Sequence, residues 1–387
     1  MALTQDVCCK NPPKRHSAPR HKAPLLDEAV PCCEYYPVNI DADRRLISFV
    51  RISRDTYRNS AFLVPRHTDM GGRLYTFNLD DLLLRSMSSP LQCAPTHYIF
   101  ISAFCCSTLL ARFLDQAAGC LVLKEPAMVA QIGFLRYRRH SMSSEEWQAE
   151  WRQLAALGLG LMSRAFSPDE MVIVKPSDIG NCVGDVVLAH DARSKSLLLS
   201  VSLRTFILSV LKSDSRREWT RGRARYWRKT INDFPVLANV DVKNLDDAKL
   251  SAYVWLVNNA FWAELRSKTA PERVLILDGE EVSDLPEATL ATVLAFFGVP
   301  FTPEDVVRIA TSEAASCHSK RPKNQYDASK RRADLLDWER RFGLEADQAV
   351  EWASGIARDL KIGRVDGPVA GVAPRMSESL EAVPETA

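Results

Sequence analysis

Residues 97–115 read HYIFISAFCCSTLLARFLD, and the way they divide decides the fold. Tyr98 to Ser102 is a short apolar run of strand character. Ala103 to Cys106 is a loop of small residues carrying one aromatic, and Ser107 to Asp115 repeats its apolar positions at helical spacing. A strand that passes through a tight loop into a helix can hold an oxyanion, because the helix N-terminus offers unpaired N–H groups and the positive end of a dipole. Ser107 and Thr108 add two hydroxyls there. The GK[ST] ending of the nucleoside triphosphatase loop is absent, which moves ATP chemistry behind other oxyanion chemistries.

Working outward, the same alternation continues. CLVLKEP (120–126), MVIVKPS (171–177), SLLLSVS (196–202) and RVLILDGEEV (273–282) are short apolar runs. They are separated by helical patterns at about 143–166, 204–213 and 246–267, and LPEATLATVLAFFG follows the last of them. Buried strands alternating with helices predict a three-layer α/β P-loop fold with a central parallel sheet. The core is expected over residues 96–301. A small N-terminal addition is expected over 45–95, where RLISFVRI, RLYTF and LDDLLLRS suggest short strands and a helix, and C-terminal helices over 302–366. Residues 1–44 and 367–387 lack hydrophobic period and are rich in Pro with Lys, Arg or Glu, so both read as disordered tails.

Composition removes several function classes. Of 387 residues, 50 are Lys or Arg and 48 Asp or Glu, a net charge of +2, so no overall field argues for nucleic acid or an anionic membrane. No apolar run approaches the roughly 18 residues of a membrane span. The ten cysteines include the adjacent pairs Cys8/Cys9, Cys32/Cys33 and Cys105/Cys106 and no CxxC, and the N-terminus has no apolar leader pattern. Free thiols in a reducing cytoplasm are therefore expected. Cys8, Cys9, Cys32 and Cys33 with His16 and His21 match no zinc-module spacing, and no metal is expected.

The loop and three further segments resemble the sulfotransferase family, closest in outline to its tyrosylprotein-type and bacterial branch. The family's 5′-phosphosulfate loop commonly reads PRSGTT or PKSGTT before a Leu-rich helix, and Ala103-Phe104-Cys105-Cys106-Ser107-Thr108-Leu109-Leu110 falls on it. Phe104 stands where the family has Arg or Lys, and Cys106 where it has Gly, a residue freer to take positive φ. LVLKEP is similar to the strand end carrying Gly-Glu-Glu, whose second Glu acts as base; Glu125 takes that place and Lys124 the one before it. VIVKPS is similar to the branch's Lys-Asp-Pro strand end. DARSKSLLLSVSLRTFILSV resembles PDAR…HRDPRDVVAS, in which an Arg and a helix Ser hold the donor's 3′-phosphate. Ser209 matches that Ser, Val201 occupies the Arg position, and Arg204 follows three residues on. RVLILDGEEVSDLPEATLATVLAFFGVPF resembles YEDLLADPEATL…FLGLPF, so the likeness runs from 97 to 301.

The resemblance implies sulfuryl transfer from 3′-phosphoadenosine-5′-phosphosulfate to a hydroxyl on a small molecule, glycan or peptide. Glu125 would be the base and Lys175 a cation at the transferred group. Cys105, Cys106, Ser107, Thr108, Lys124, Arg204 and Ser209 would bind the donor. Each residue also has a plainer reading: Glu125 salt-bridged to a neighbour, Ser107 or Thr108 as a helix cap, Ser209 bonded to its own helix, Cys105 and Cys106 as small buried residues. RREWTRGRARYWRKT (216–230) reads as a basic lid over a phosphoadenosine, as an RNA-stacking surface, or as a solvated helix face with its aromatics turned inward. HSKRPKNQYD (318–327) is a second basic loop. Two other functions stay open, a non-catalytic oxyanion- or nucleotide-binding protein that keeps the fold, and a P-loop kinase.

Overall fold

A computed structural model describes residues 24–64, 73–89, 91–138, 144–318, 321–325 and 328–362. Three antiparallel strands open the chain: β1 (Tyr35–Asp41), β2 (Leu46–Arg51) and β3 (Leu74–Asn78), in the order β1-β2-β3. The core sheet follows with β4 (Thr96–Ile101), β5 (Cys120–Lys124), β6 (Met171–Lys175), β7 (Ser196–Ser200) and β8 (Val274–Asp278). It is parallel throughout, in the order β5-β6-β4-β7-β8. Every residue of β4, β5 and β7 is buried, as expected for a parallel sheet covered on both faces.

The chain path explains the covering. From β4 it runs two places in one direction to β5, and every later crossover runs in the opposite direction, to β6, β7 and β8. With right-handed crossovers, the helix Ser107–Leu114 falls on one face and the helices leaving β5, β6 and β7 on the other. The helices Pro286–Phe297 and Glu313–Ser316 pack beside Ser107–Leu114. The connections leaving β4 and β7 therefore part to opposite faces, and the crevice between their carboxyl ends is where such sheets bind ligands.

The expected tail boundary at residue 44 needs correction. Helix Leu26–Ala29 and β1 lie within that stretch, and Arg164 is what fastens them. Its guanidinium is fully buried and donates to the carbonyls of Ala29 (3.1 Å), Val30 (2.8 Å), Cys32 (2.9 Å) and Tyr35 (2.7 Å). Burial pulls its pKa below the ordinary value. The backbone of β1 is tied to the core by Gln131, which accepts from the Ile40 N–H (2.8 Å) and donates to the Val38 carbonyl (3.1 Å). Residues 1–23 and 367–387, with the expected tails and the Cys8, Cys9, His16 and His21 set, lie outside the described residues.

Beyond the core, the expected C-terminal helices are Pro303–Ala310, Glu313–Ser316 and one long helix, Ala328–Asp359. The basic loop at 318–327 contributes part of a two-stranded ribbon, Cys317–His318 with Arg321–Gln325. The basic segment 216–230 lies on a single helix, Asp214–Thr230. Thr220, Ala224 and Trp227 face inward and Arg221 and Arg225 outward, while Arg216 and Arg223 are half-buried between the two faces. No helix among the described residues is long and apolar enough to cross a membrane.

Candidate functional site at the carboxyl ends of the sheet

Backbone strain marks the site. Ala103, Phe104 and Cys106 have φ of 67°, 53° and 57°, so three of the four loop residues are left-handed although none is glycine. Glu125, just beyond β5, is a fourth at 52°. Such conformations cost about 1–3 kcal/mol each and persist where the surroundings hold them. Here the loop after β8 is one constraint: a Cβ on Gly279 would stand 2.3 Å from the Cys105 carbonyl oxygen, so only glycine permits the two backbones to touch. The Gly279 N–H donates to the Ser200 carbonyl at 2.5 Å, fixing that loop to β7. Cys106 thus adopts the positive φ that its side chain was expected to resist, and it serves as N-cap of Ser107–Leu114 without a side-chain cap bond. Left-handed residues running into a helix N-terminus give the backbone geometry of an anion nest.

Beside the loop sits an ion pair. Lys175 Nζ, at the end of β6, lies 2.6 Å from Glu125 Oε1, and the Glu125 N–H donates to the Lys175 carbonyl at 2.6 Å. The Lys175 side chain is 1% exposed and that of Glu125 23%. Lys175 also acts on the Cys105 thiol. Burial dominates and raises that thiol's pKa, while Lys175 and the Ser107 amide and hydroxyl oppose it. Glu125, Lys175, Cys105 and Ser107 are therefore one neighbourhood, with Ser107 and Thr108 both buried.

Two of the sequence-derived candidates, Lys124 and Arg204, are engaged elsewhere. Lys124 donates to Asp115 Oδ2 (2.6 Å) and to the Arg58 carbonyl (2.8 Å). Burial draws its pKa down and pushes that of Asp115 up. Arg204 is bound to Glu339 and Asp347 on the C-terminal helix, so it fastens that helix in place of reaching the crevice. Val201, at the family's Arg position, is buried with its carbonyl accepting from the Trp255 indole N–H at 3.0 Å. Ser209 accepts from Arg216 Nη1 at 3.1 Å, while its carbonyl accepts from the same nitrogen at 2.8 Å.

Several residues at the site come from the basic helix and the chain's end. The Arg216 guanidinium lies 4.4 Å from the centre of the Phe104 ring, which brings a cation beside the position where the family carries one within the loop. Arg223 pairs with the buried Asp178 (Nε to Oδ2, 2.7 Å), and Asp178 is close enough to Glu125 to feel its charge. Lys212 Nζ sits 3.5 Å from the Trp338 ring centre, and burial, with Arg216 and Arg331 adding repulsion, pulls its pKa down to about 7. Arg331 donates to the Cys106 sulfur and lies 3.5 Å from Glu280. Helical spacing offered a signal for the first two: Arg216, Trp219, Thr220, Arg223 and Trp227 repeat at three and four residues along one face. Nothing local pointed to Lys212 or Arg331, whose role depends on where the last helix docks.

Among the described residues no group of His, Cys, Asp and Glu is arranged to hold a metal ion. No protein-family model matches the chain, and no curated protein does. Similar solved structures include the sulfotransferase domain from the curacin biosynthetic pathway, 14% identical over 70% of this chain and 98% of that one, with a TM-score of 0.38. Another is the sulfotransferase from Alicyclobacillus acidocaldarius, at 13% identity, 69% and 97% coverage and a TM-score of 0.36. Mouse sulfotransferase SULT7A1 complexed with PAP is 13% identical over 74% of this chain and 96% of that one, with a TM-score of 0.36.

Proposed function

We propose that the protein transfers a sulfuryl group from 3′-phosphoadenosine-5′-phosphosulfate to a hydroxyl acceptor, with Glu125 as base. The observation that carries this reading is the Lys175–Glu125 pair at 2.6 Å, at strand ends beside the strained loop 103–106. The acceptor oxygen forms a bond to sulfur as the bond from sulfur to the 5′-phosphate oxygen breaks. The acceptor proton passes to Glu125, and the bisphosphate departs with the electron pair. Charge grows on the sulfuryl oxygens and on the leaving phosphate. In this reading Lys175 meets the first, and the amides at the start of Ser107–Leu114, with the Ser107 and Thr108 hydroxyls, meet the second. In this reading Arg216 takes the cationic role that Phe104 cannot, and with Ser209 it forms the phosphate-binding corner assigned from sequence to Arg204 and Ser209. Lys124 has no part in the chemistry.

The test is transfer of label from radiolabelled donor to a set of phenols, alcohols, glycans and tyrosine peptides. Glu125→Gln should lower the rate by about 10²–10⁴-fold, the usual contribution of a general base, while leaving donor affinity nearly unchanged. A rate that does not change in Glu125→Gln would remove the base assignment.

One feature favours a second reading, in which the crevice binds the bisphosphate and performs no transfer. The Phe104 ring packs 5.2 Å from Trp219 and 5.8 Å from Phe206, so an aromatic cluster stands where a cationic ligand was expected. Saturable bisphosphate binding with no label transferred to any acceptor would support it.

A further inference from the structure

A second, separate cleft of about 480 Å³ lies at the C-terminal end of Ser107–Leu114, the end away from the strained loop. Three arginines from three different helices line it: Arg58 of Arg54–Asn59, Arg112 of Ser107–Leu114 and Arg308 of Pro303–Ala310. Arg112 Nη1 is buried and has no hydrogen-bond partner among the described residues. A guanidinium N–H left in that state costs free energy that an oxyanion would recover. Among the described residues the side chains of Arg58 and Arg112 form no ion pair, whereas Arg308 reaches Asp305 at 2.9 Å.

Two carboxylates also touch the cleft. Asp115 is already neutralised by Lys124 at 2.6 Å and Arg308 is paired with Asp305, which leaves Glu313, itself engaged in a contact, against the guanidiniums of Arg58 and Arg112. The positive field is felt nearby, since Arg112 and Arg58 add to burial in lowering the Lys124 pKa. The rest of the wall is mainly neutral and polar, from Asn59, Gln116 and Ser312, and Gln116 Nε2 donates to Ser312 Oγ at 3.1 Å. Planar guanidinium forks match tetrahedral oxyanions, amides and a hydroxyl match sugar-like hydroxyls, and the volume lies in the range of small-molecule sites.

We propose that this arginine cleft binds a hydrophilic small molecule through a terminal phosphate or sulfate ester, at a site apart from the strand-end crevice. The inference does not depend on sulfuryl transfer.

The experiment titrates the full chain with inorganic phosphate and, separately, inorganic sulfate, by calorimetry at constant ionic strength. Wild type should bind at least one of them saturably, and the tighter of the two identifies the ester. Arg58→Gln and Arg112→Gln should each weaken that binding at least tenfold, while Lys175→Met, at the crevice, should leave it unchanged. Arg58 is an exposed side chain, so Arg58→Gln keeps the test valid even where Arg112→Gln folds poorly. The proposal is overturned if neither anion binds saturably, if Arg58→Gln retains full affinity, or if Lys175→Met abolishes the binding, which would place the anion in the crevice.

Discussion

Lys124 and Lys175 end neighbouring strands, face each other in the register of the sheet and are each only 1% exposed, yet their partners differ. Lys124 is enclosed with Asp115, whose side chain is 9% exposed, and a backbone carbonyl completes its shell. Lys175 meets Glu125, whose side chain is 23% exposed and stands on a left-handed backbone beside the loop. Position on the sheet and residue type are the same in both. What separates them is the partner, nearly enclosed in one case and partly exposed beside the loop in the other.

The sharpest way to break this contrast is stability. Lys124→Met leaves the nearly buried Asp115 carboxylate, at the edge of the arginine cleft, without its ion-pair partner and should cost about 3 kcal/mol in denaturant unfolding, much of which Lys124→Met/Asp115→Leu should recover. Lys175→Met leaves Glu125 with access to water and should cost about 1 kcal/mol. Equal losses from the two single substitutions would erase the distinction.

A third lysine sharpens it through pH. Lys212 packs on Trp338 and has no ion pair among the described residues. Its folded pKa of about 7 lies below the ordinary 10.5. Between those values the unfolded chain holds a proton that the folded chain lacks, so stability should rise with pH from about 7 to 10 and stay flat below 7 as far as this group is concerned. Lys212→Met should remove that slope from a series of thermal melts. An unchanged slope would mean that another group carries it.

Much of the fold was legible because its strands are continuous apolar runs. IFI, CLVL, MVIV, SLLL and VLIL each fall inside an observed core strand, and the Gly, Pro and Ser positions around them mark the ends. The N-terminal boundary was not legible, because order there depends on Arg164, more than a hundred residues away, donating to carbonyls that any sequence would offer. That Glu125, Lys175 and Ser107 would lie close together could be read because strand-end and loop positions follow from local pattern. Lys124 and Arg204 were misleading for a shared reason: sequence position brought them near the crevice, but carboxylates on Asp115, Glu339 and Asp347 took their charges. Arg216 was hidden because its value comes from the Phe104 ring beneath it, a contact between segments far apart in the chain.

The most direct measurement is calorimetric binding of the donor 3′-phosphoadenosine-5′-phosphosulfate, which carries the sulfuryl group, to wild type, to Lys175→Met and to Lys124→Met/Asp115→Leu. Wild type and the double variant should bind alike, and Lys175→Met at least tenfold more weakly, as expected for loss of a charge-assisted contact. Failure of wild type to bind, or equal affinity in Lys175→Met, would contradict a donor site built on the Lys175–Glu125 pair.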